Sequence, residues 1–237
     1  MMKKEYVNRQ STENPIVDWI VVKIASLLVK PLSRTNITPN MITLFSFFLG
    51  VLASALLALN KYPLLIILSI FFSFVFDRVD GGLARMKKAT SKIGNFLDNL
   101  FDRFIDALLI IGLCFNLFNK THDFSIWLYG LLFLTGIYIT FTVGILISGG
   151  YSESSISKSR NSILSKSSIL NYFIIGHGTR MFALIFFIII NKLLFMLIFF
   201  AIIQNLYWLG LAFVYIIKLA REKEEAETTK KVKRKLA

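Results

Sequence analysis

Five of the 14 acidic residues fall within residues 77–106, where the surrounding sequence is strongly apolar. Asp77 and Asp80 are three positions apart. Asp98 and Asp102 are four apart, so the members of each pair share one helix face. Ionisable side chains in apolar segments are costly and indicate a functional site by default. Four carboxylates brought together either take up protons or recruit cations. Because all the ligands are oxygens, the cations would be hard ions such as Mg²⁺ or Mn²⁺.

Small residues and an arginine separate the two acidic pairs. Gly81 and Ala84 allow a bulky ligand to approach the backbone closely. The planar guanidinium of Arg85 suits phosphate oxygens. Two divalent cations about 3.5–4 Å apart would clamp a phosphoryl group, so the residues predict phosphoryl transfer at the membrane–cytoplasm boundary. Alternatively, some charged residues of this region form salt bridges at helix ends, an interpretation that stays open above all for Arg78, Arg103 and Asp106.

The composition places these residues in a membrane protein. The chain has 237 residues, of which 55% are hydrophobic and 17% charged, against about 45–50% apolar and about 25% charged in soluble domains. Residues 37–60, 124–152 and 193–217 contain no charged side chain, and about 20 apolar residues suffice to cross a bilayer. A soluble enzyme and a disordered chain are therefore excluded. A disulfide scaffold is excluded too, because Cys114 is the single cysteine.

The hydropathy pattern predicts an all-α, polytopic membrane protein with six transmembrane helices. Apolar residues at helical spacing from Ile16 to Leu28 predict an amphipathic helix that precedes them and lies in the membrane interface. We divide the chain into a cytoplasmic N-terminal segment with this helix (1–36), a membrane domain (37–217) and a charged cytoplasmic tail (218–237). The predicted spans are 37–60, 62–86, 94–119, 124–149, 169–191 and 193–217.

Basic residues are distributed unevenly between the two sides of this topology. They concentrate before the first span, in the 85–92 turn, in the 150–168 loop and in the tail, whereas the opposite connections carry only Lys61, Lys120 and Lys192. The positive-inside rule therefore places both termini and the acidic site on the cytoplasmic side of the cell membrane. Topology and attraction to anionic lipid account for the net charge of +13, so we expect no nucleic-acid partner.

The acidic pairs form part of a longer pattern. Asp77-x2-Asp80-Gly81-x2-Ala84-Arg85-x8-Gly94-x3-Asp98-x3-Asp102 resembles the complete signature of the CDP-alcohol phosphotransferase (CDP-alcohol phosphatidyltransferase) family. An upstream Thr38-Pro39-Asn40-x2-Thr43 is similar to another feature of that family. The resemblance covers residues 16–217, and the family's six helices and cytoplasmic termini agree with the hydropathy.

The resemblance implies a reaction and a set of roles. Family members replace the CMP of a CDP-linked donor with the oxygen of an alcohol acceptor, in phospholipid biosynthesis, and are commonly homodimers. By matching position, Asp77 and Asp98 would contact both of two divalent cations and Asp80 one of them. Asp102 would contact the other and act as the base on the acceptor hydroxyl. The donor-binding positions would be Asn40, Thr43, Gly81, Ala84, Arg85 and Ser91.

The acceptor is less well specified by the sequence. Residues 98–107, Asp18-Trp19 and Arg180-Met-Phe are similar to members that use inositol phosphates, including the membrane domain of di-inositol-phosphate phosphate synthases. Our first choice is therefore transfer of a phosphatidyl or archaetidyl group to a polyol phosphate. The cations available for its phosphate are Arg103, Arg160 and Arg180. Arg180 is equally well interpreted as an interfacial anchor, and we expect His177 to form a local hydrogen bond.

Other acceptors, donors and one other class of protein stay open. Glycerol phosphate, serine or free inositol are alternative acceptors, a soluble CDP-alcohol is an alternative donor, and ester- and ether-linked lipids are not distinguished. We expect no cytidylyltransferase domain before the membrane part, so that a bifunctional-type reaction would need activation on another polypeptide. A divalent-ion transporter is disfavoured, because its acidic residues would be spread through the membrane depth. Metal-dependent release of CMP separates the two classes.

Overall fold

The structure, a computed structural model, describes residues 15–148 and 176–236. Within these residues every regular element is a helix, which confirms the predicted all-α class. Each predicted span contains a helix, and the first residues of the fifth span, 169–175, lie outside the described residues. The helices are α1 (Pro15–Leu32), α2 (Pro39–Ala58), α3 (Pro63–Met86), α4 (Lys92–Thr121), α5 (Ser125–Ser148), α6 (His177–Ile189) and α7 (Leu193–Leu236).

Among the described residues, three helices are long and apolar enough to cross a membrane: Pro39–Ala58, Ser125–Ile147 and Leu193–Ile217. Helices α3 and α4 have 24 and 30 residues but carry charged side chains toward the end where they approach each other. Helix α6 is apolar but has 13 residues. The helices are those of a membrane protein, and the number of six spans stays a prediction.

The helices of the site begin at capping signals. Pro39 and Pro63 each stand in the first turn of a helix, where the missing N–H is not needed. The Thr38 hydroxyl accepts a hydrogen bond from the Met41 amide, and the Ser91 hydroxyl accepts one from the Gly94 amide. These caps satisfy backbone donors that have no partner inside the helix. They fix where α2 and α4 begin, beside the end of α3.

Helix α2 packs extensively against both α3 and α4, whereas α3 and α4 make few direct backbone contacts with each other. The sequence argument expected α3 and α4 to be neighbours because of the short turn, and this was only partly right: they are joined mainly through α2. Small residues allow the close approach. A Cβ at Gly50 would lie 2.8 Å from Ile105, and one at Gly112 would lie 2.6 Å from the Ser54 carbonyl.

Helix α1 covers the segment that was predicted to lie in the membrane interface. Its buried side chains Val21, Ala25 and Val29 pack in one cluster with Val75 and Val79 of α3. The apolar face therefore lies largely against protein. Lipid contact of the exposed residues on this helix stays a prediction.

Helices α5 and α7 pack against each other over an extensive surface. Phe133 and Phe200 lie at their contact, with ring centroids 5.4 Å apart, and the buried Gln204 donates a hydrogen bond to the Thr140 hydroxyl at 2.8 Å. Helix α7 continues to Leu236 without a break. Residues 218–236 of the segment predicted as a separate tail, 218–237, therefore extend the last helix.

Candidate active site

Three of the four predicted carboxylate ligands converge between α3 and α4. One oxygen each from Asp77, Asp80 and Asp98 lies within 4.8 Å of the other two. Asp80 is buried, with 4% of its surface exposed, and Asp77 and Asp98 are half-buried. A divalent cation needs several oxygen ligands at 2.0–2.6 Å, roughly. Three oxygens so close together can surround one such ion.

The surroundings of Asp80 test whether a cation fits. The Thr43 side chain and the Gly81 amide interact with the Asp80 carboxylate, and Arg78 and Arg85 contribute favourable charge. Its second oxygen, Oδ2, is buried and has no hydrogen-bond partner among the described residues. Leaving a buried charged oxygen unsatisfied is expensive. This oxygen accepts no hydrogen bond from the described residues, and its carboxylate lies close to two others. A bound cation fits these surroundings.

The residues predicted to bind the donor lie around this cluster. Asn40 and Ser91 are exposed near the starts of α2 and α4, and both lie next to Gly94: a Cβ at Gly94 would be 3.6 Å from Asn40 Oδ1 and 3.1 Å from Ser91 Oγ. Gly81 faces the guanidinium of Arg85, because a Cβ there would be 3.5 Å from an Arg85 nitrogen. Ala84 lies on the same turn of α3, half-buried.

Lys87 connects the end of α3 to the segment before α2. Its ammonium donates hydrogen bonds to the backbone carbonyls of Thr35 at 2.6 Å and Ile37 at 2.8 Å. The end of α3 is thereby connected to the segment that leads into α2. The N-termini of α2 and α4 lie next to each other at Asn40 and Gly94, and the exposed Arg85 lies near Asp80. This combination favours anions, because helix N-termini carry partial positive charge.

Asp102, the predicted base, lies one turn deeper along α4 than Asp98. It is 7% exposed, and it is not one of the three carboxylates that form the close group among the described residues. Its Oδ1 lies 3.9 Å from Nε2 of His177 on α6. The structure thus brings Asp102 toward a histidine, while the sequence argument had grouped it with the other three acids.

One turn further along α4, Asp106 is surrounded by cations. Its Oδ2 accepts a hydrogen bond from Arg180 at 2.7 Å and lies 3.4 Å from an Arg103 nitrogen, and its Oδ1 is 3.0 Å from Nδ1 of His177. Asp106 is 3% exposed and Arg180 6%. The expected hydrogen bond of His177 is present, but it is not local, because its partner lies 71 positions earlier in the sequence, on α4.

The three cations predicted to bind an acceptor phosphate have different positions. Arg180 is buried against Asp106 and is not at the surface, so the alternative of an interfacial anchor was wrong. Arg103 lies over the Phe141 ring at 4.9 Å, beside Asp106. Arg160 lies outside the described residues. Contact of any of them with an acceptor stays a prediction.

Sequence reasoning missed the link between Asp106 and α6, although its signal was present. Asp98, Asp102 and Asp106 recur every fourth residue, and His177 and Arg180 are three apart. Each set lies on one helix face. Two faces that carry opposite charges inside an apolar sequence are expected to meet, because each charge needs a partner in the membrane.

Comparison with known proteins agrees with this geometry. Residues 36–216 match the family model described as CDP-alcohol phosphatidyltransferase. A bifunctional IPC transferase and DIPP synthase of Thermococcus kodakarensis is 34% identical over 113 residues, 48% of this chain and 24% of the relative. The archaetidylinositol phosphate synthase of Pyrococcus horikoshii is 38% identical over 84 residues, 35% of this chain and 44% of the relative.

A phosphatidylinositol phosphate synthase of Cutibacterium acnes is 32% identical over 98 residues, 38% of this chain and 44% of the relative. The matched part spans less than half the length of each of these relatives. The family model, in contrast, covers most of the chain, including all the carboxylates described above. The chain therefore belongs to the CDP-alcohol phosphatidyltransferase family.

Proposed function

We propose that this chain transfers a lipid-linked phosphate from a CDP-activated lipid to a hydroxyl group of a polyol phosphate, with release of CMP. The observation that carries the proposal is the convergence of Asp77, Asp80 and Asp98 within 4.8 Å, next to Arg85 and two helix N-termini. An inositol phosphate is the acceptor we favour, because the names of several relatives include inositol phosphate synthesis.

The carboxylates of α3 and α4 would hold the cations that the reaction needs. Asp77, Asp80 and Asp98 would hold one ion, and Asp77, Asp98 and Asp102 would hold the second. When bound, Mg²⁺ or Mn²⁺ would supply positive charge to the phosphoryl oxygens. Arg85 and the N-termini of α2 and α4 would bind the pyrophosphate of the donor, with Asn40, Thr43 and Ser91 nearby for its CMP part.

In the proposed reaction, Asp102 accepts the proton of the acceptor hydroxyl as the oxygen attacks the lipid-linked phosphorus. A bond forms between that oxygen and the phosphorus, and the bond from the phosphorus to the oxygen of CMP breaks. Because CMP is already a good leaving group, the residues contribute chiefly by positioning and by neutralising charge. A carboxylate within hydrogen-bond reach of the hydroxyl suffices as the base.

The membrane arrangement completes the proposal. With six spans and the basic turn 85–92 in the cytoplasm, the carboxylates lie near the cytoplasmic surface, where a soluble acceptor has access. The donor's lipid chains would stay in the bilayer against the exposed apolar faces of the helices. A homodimer in the cell membrane is the expected assembly, on the strength of the family resemblance alone.

The test is CMP release by detergent-purified protein supplied with a CDP-lipid and Mg²⁺ or Mn²⁺. Inositol phosphate, glycerol phosphate, serine and free inositol are compared as acceptors. Ester- and ether-linked donors are run in parallel. We expect release that requires metal, that inositol phosphate stimulates, and that Asp102→Asn abolishes while donor binding persists. Absence of metal-dependent release with every acceptor and with soluble CDP-alcohols would contradict the proposed function.

A further inference from the structure

His177 lies between two carboxylates of α4. Its Nδ1 is 3.0 Å from Asp106 Oδ1, and its Nε2 is 3.9 Å from Asp102 Oδ1. The ring is buried, with 6% of the residue exposed. Because Asp102 and Asp106 are four residues apart, they occupy successive turns of one helix face. The imidazole of His177 therefore lies between the ion pairs around Asp106 and the candidate base, Asp102.

The Asp106 side of the ring is fixed. Asp106 also accepts a hydrogen bond from Arg180 at 2.7 Å, and an ionised carboxylate can only accept, so Nδ1–H of His177 donates to it. Phe74 of α3 lies against the ring, with centroids 6.0 Å apart. A Cβ at the next residue, Gly178, would be 2.6 Å from Phe74. Helix α6 is thus seated closely on α3, with the imidazole held in one orientation.

The other ring nitrogen, Nε2, faces Asp102 Oδ1 at 3.9 Å. Since Nδ1–H already donates to Asp106, Nε2 attracts an ionised Asp102 as the N–H of the imidazolium form. We propose that His177 is a positioning residue, which Asp106 holds in place and which restricts the Asp102 carboxylate to the orientation that meets the acceptor hydroxyl. This inference rests on the proposed function. Histidines and carboxylates that orient a ligand or a base from behind commonly affect activity by about 10- to 100-fold without touching the substrate.

If His177 served only as a hydrogen-bond partner of Asp106, losing its contact with Asp102 would leave kcat unchanged. The two roles can be separated because each uses one ring nitrogen. In His177→Asn the amide nitrogen is placed near Nδ1, so the contact with Asp106 is kept and the contact with Asp102 is lost. In His177→Gln the longer side chain places its amide near Nε2, toward Asp102.

The experiment measures kcat and both KM values for these variants in the full-length, detergent-purified protein. We expect His177→Asn to lower kcat by about 10- to 100-fold with both KM values within about twofold of wild type, and His177→Gln to restore most of the loss. His122→Asn is the matched control. His122 lies outside the bundle core between α4 and α5 with φ 54°, a conformation that asparagine tolerates well.

Wild-type kcat in His177→Asn, or equal losses in the Asn and Gln variants, would overturn the inference while leaving the proposed function intact. If the wild-type protein releases no CMP, the proposed function is contradicted. The role of His177 is then tested by measuring Mn²⁺ binding. Titration of Mn²⁺, followed by the electron paramagnetic resonance signal of the free ion, then compares the variants. Weaker binding in His177→Asn than in His177→Gln supports a role in orienting Asp102, and equal binding overturns it.

Discussion

Asp98 and Asp106 lie two turns apart on one face of α4, yet the charges around them have opposite signs. Asp98 meets two further carboxylates, Asp77 and Asp80, within 4.8 Å. Asp106 meets Arg180, Arg103 and His177, all within 3.4 Å. The fold supplies the positive charge for Asp106 by itself. The group of three acids has Arg78 and Arg85 nearby, and a bound divalent cation would add positive charge between the carboxylates.

This difference separates a structural charge cluster from a candidate catalytic one. A carboxylate with cationic partners stabilises the junction of α4 and α6, and removing one partner leaves the other uncompensated. Carboxylates held close together repel one another when no cation is bound. Replacing an acid by its amide should therefore have opposite effects on stability in the two regions.

The largest expected effect is on activity, in Asp98→Asn. Loss of this ligand should lower CMP release by more than about 1,000-fold, because metal ions supply several kcal/mol of charge stabilisation. The metal-free protein should unfold at the same temperature as wild type or higher, since one like charge is gone. Activity assays and thermal unfolding in detergent check both parts.

Asp123→Asn is the matched control for an acid-to-amide change. Asp123 lies between α4 and α5, and hydrogen bonds from Ser125 hold the pKa of its carboxyl below the ordinary value. It is far along the chain from the acidic group, and we expect near wild-type activity. If Asp98→Asn kept metal-dependent turnover, Asp98 would not be a metal ligand that the reaction needs, and the contrast with Asp106 would be wrong.

The second effect is on stability, in Asp106→Asn. The free energy of unfolding should fall by about 3–5 kcal/mol, because Arg180 and His177 remain buried without their counter-charge. Addition of EDTA should not change this loss. Unfolding of Asp106→Asn, Arg180→Gln and the double variant should show that the two losses do not add. Additive losses would mean that the pair is not an energetic unit.

A smaller effect is expected for Arg85→Ala. Arg85 is exposed and lies near Asp80, and charged hydrogen bonds contribute about 1.5–3 kcal/mol. The KM for the CDP-lipid should therefore rise by about 10- to 100-fold with little change in stability. Because Arg85→Lys keeps the charge, its KM for the CDP-lipid should lie between those of the wild type and of Arg85→Ala. Unchanged donor affinity would remove Arg85 from the proposed donor site.

The smallest effect is expected for Lys87→Met, which removes the hydrogen bonds to the carbonyls of Thr35 and Ile37. At about 1 kcal/mol of net hydrogen-bond energy, the donor KM should rise by about fivefold, because the start of α2 is less firmly held. The neighbouring Lys88 is exposed, so Lys88→Met is the matched control. Equal effects of the two would indicate a general charge effect.

Much of the secondary structure could be predicted from local sequence. Apolar stretches predicted the helix positions, with spans starting at residues 37, 62 and 94 where the helices begin at 39, 63 and 92. The carboxylate spacing identified which acids share a face. Helix α7 continues past the predicted span 193–217 into the charged segment, because a highly charged sequence can still continue a helix that has already formed.

The contacts between helices could not be predicted in the same way. The short turn after α3 indicated close packing of α3 and α4, but α2 lies in contact with both, where Gly50 and Gly112 remove side-chain bulk. Arg180 had been assigned to an acceptor phosphate or to the interface, and its partner is Asp106. Spacing along one helix does not reveal which face of a distant helix it meets.

The sequence by itself determined the membrane class, the helical elements and the set of acids, because hydropathy and helical period are local properties of the chain. Only the tertiary structure decided which acids belong together. Asp77, Asp80 and Asp98 converge, whereas Asp102 and Asp106 turn toward His177 on α6. The physical reason is that charge compensation in an apolar interior depends on distances between helices, and side-chain volume at their contacts sets those distances.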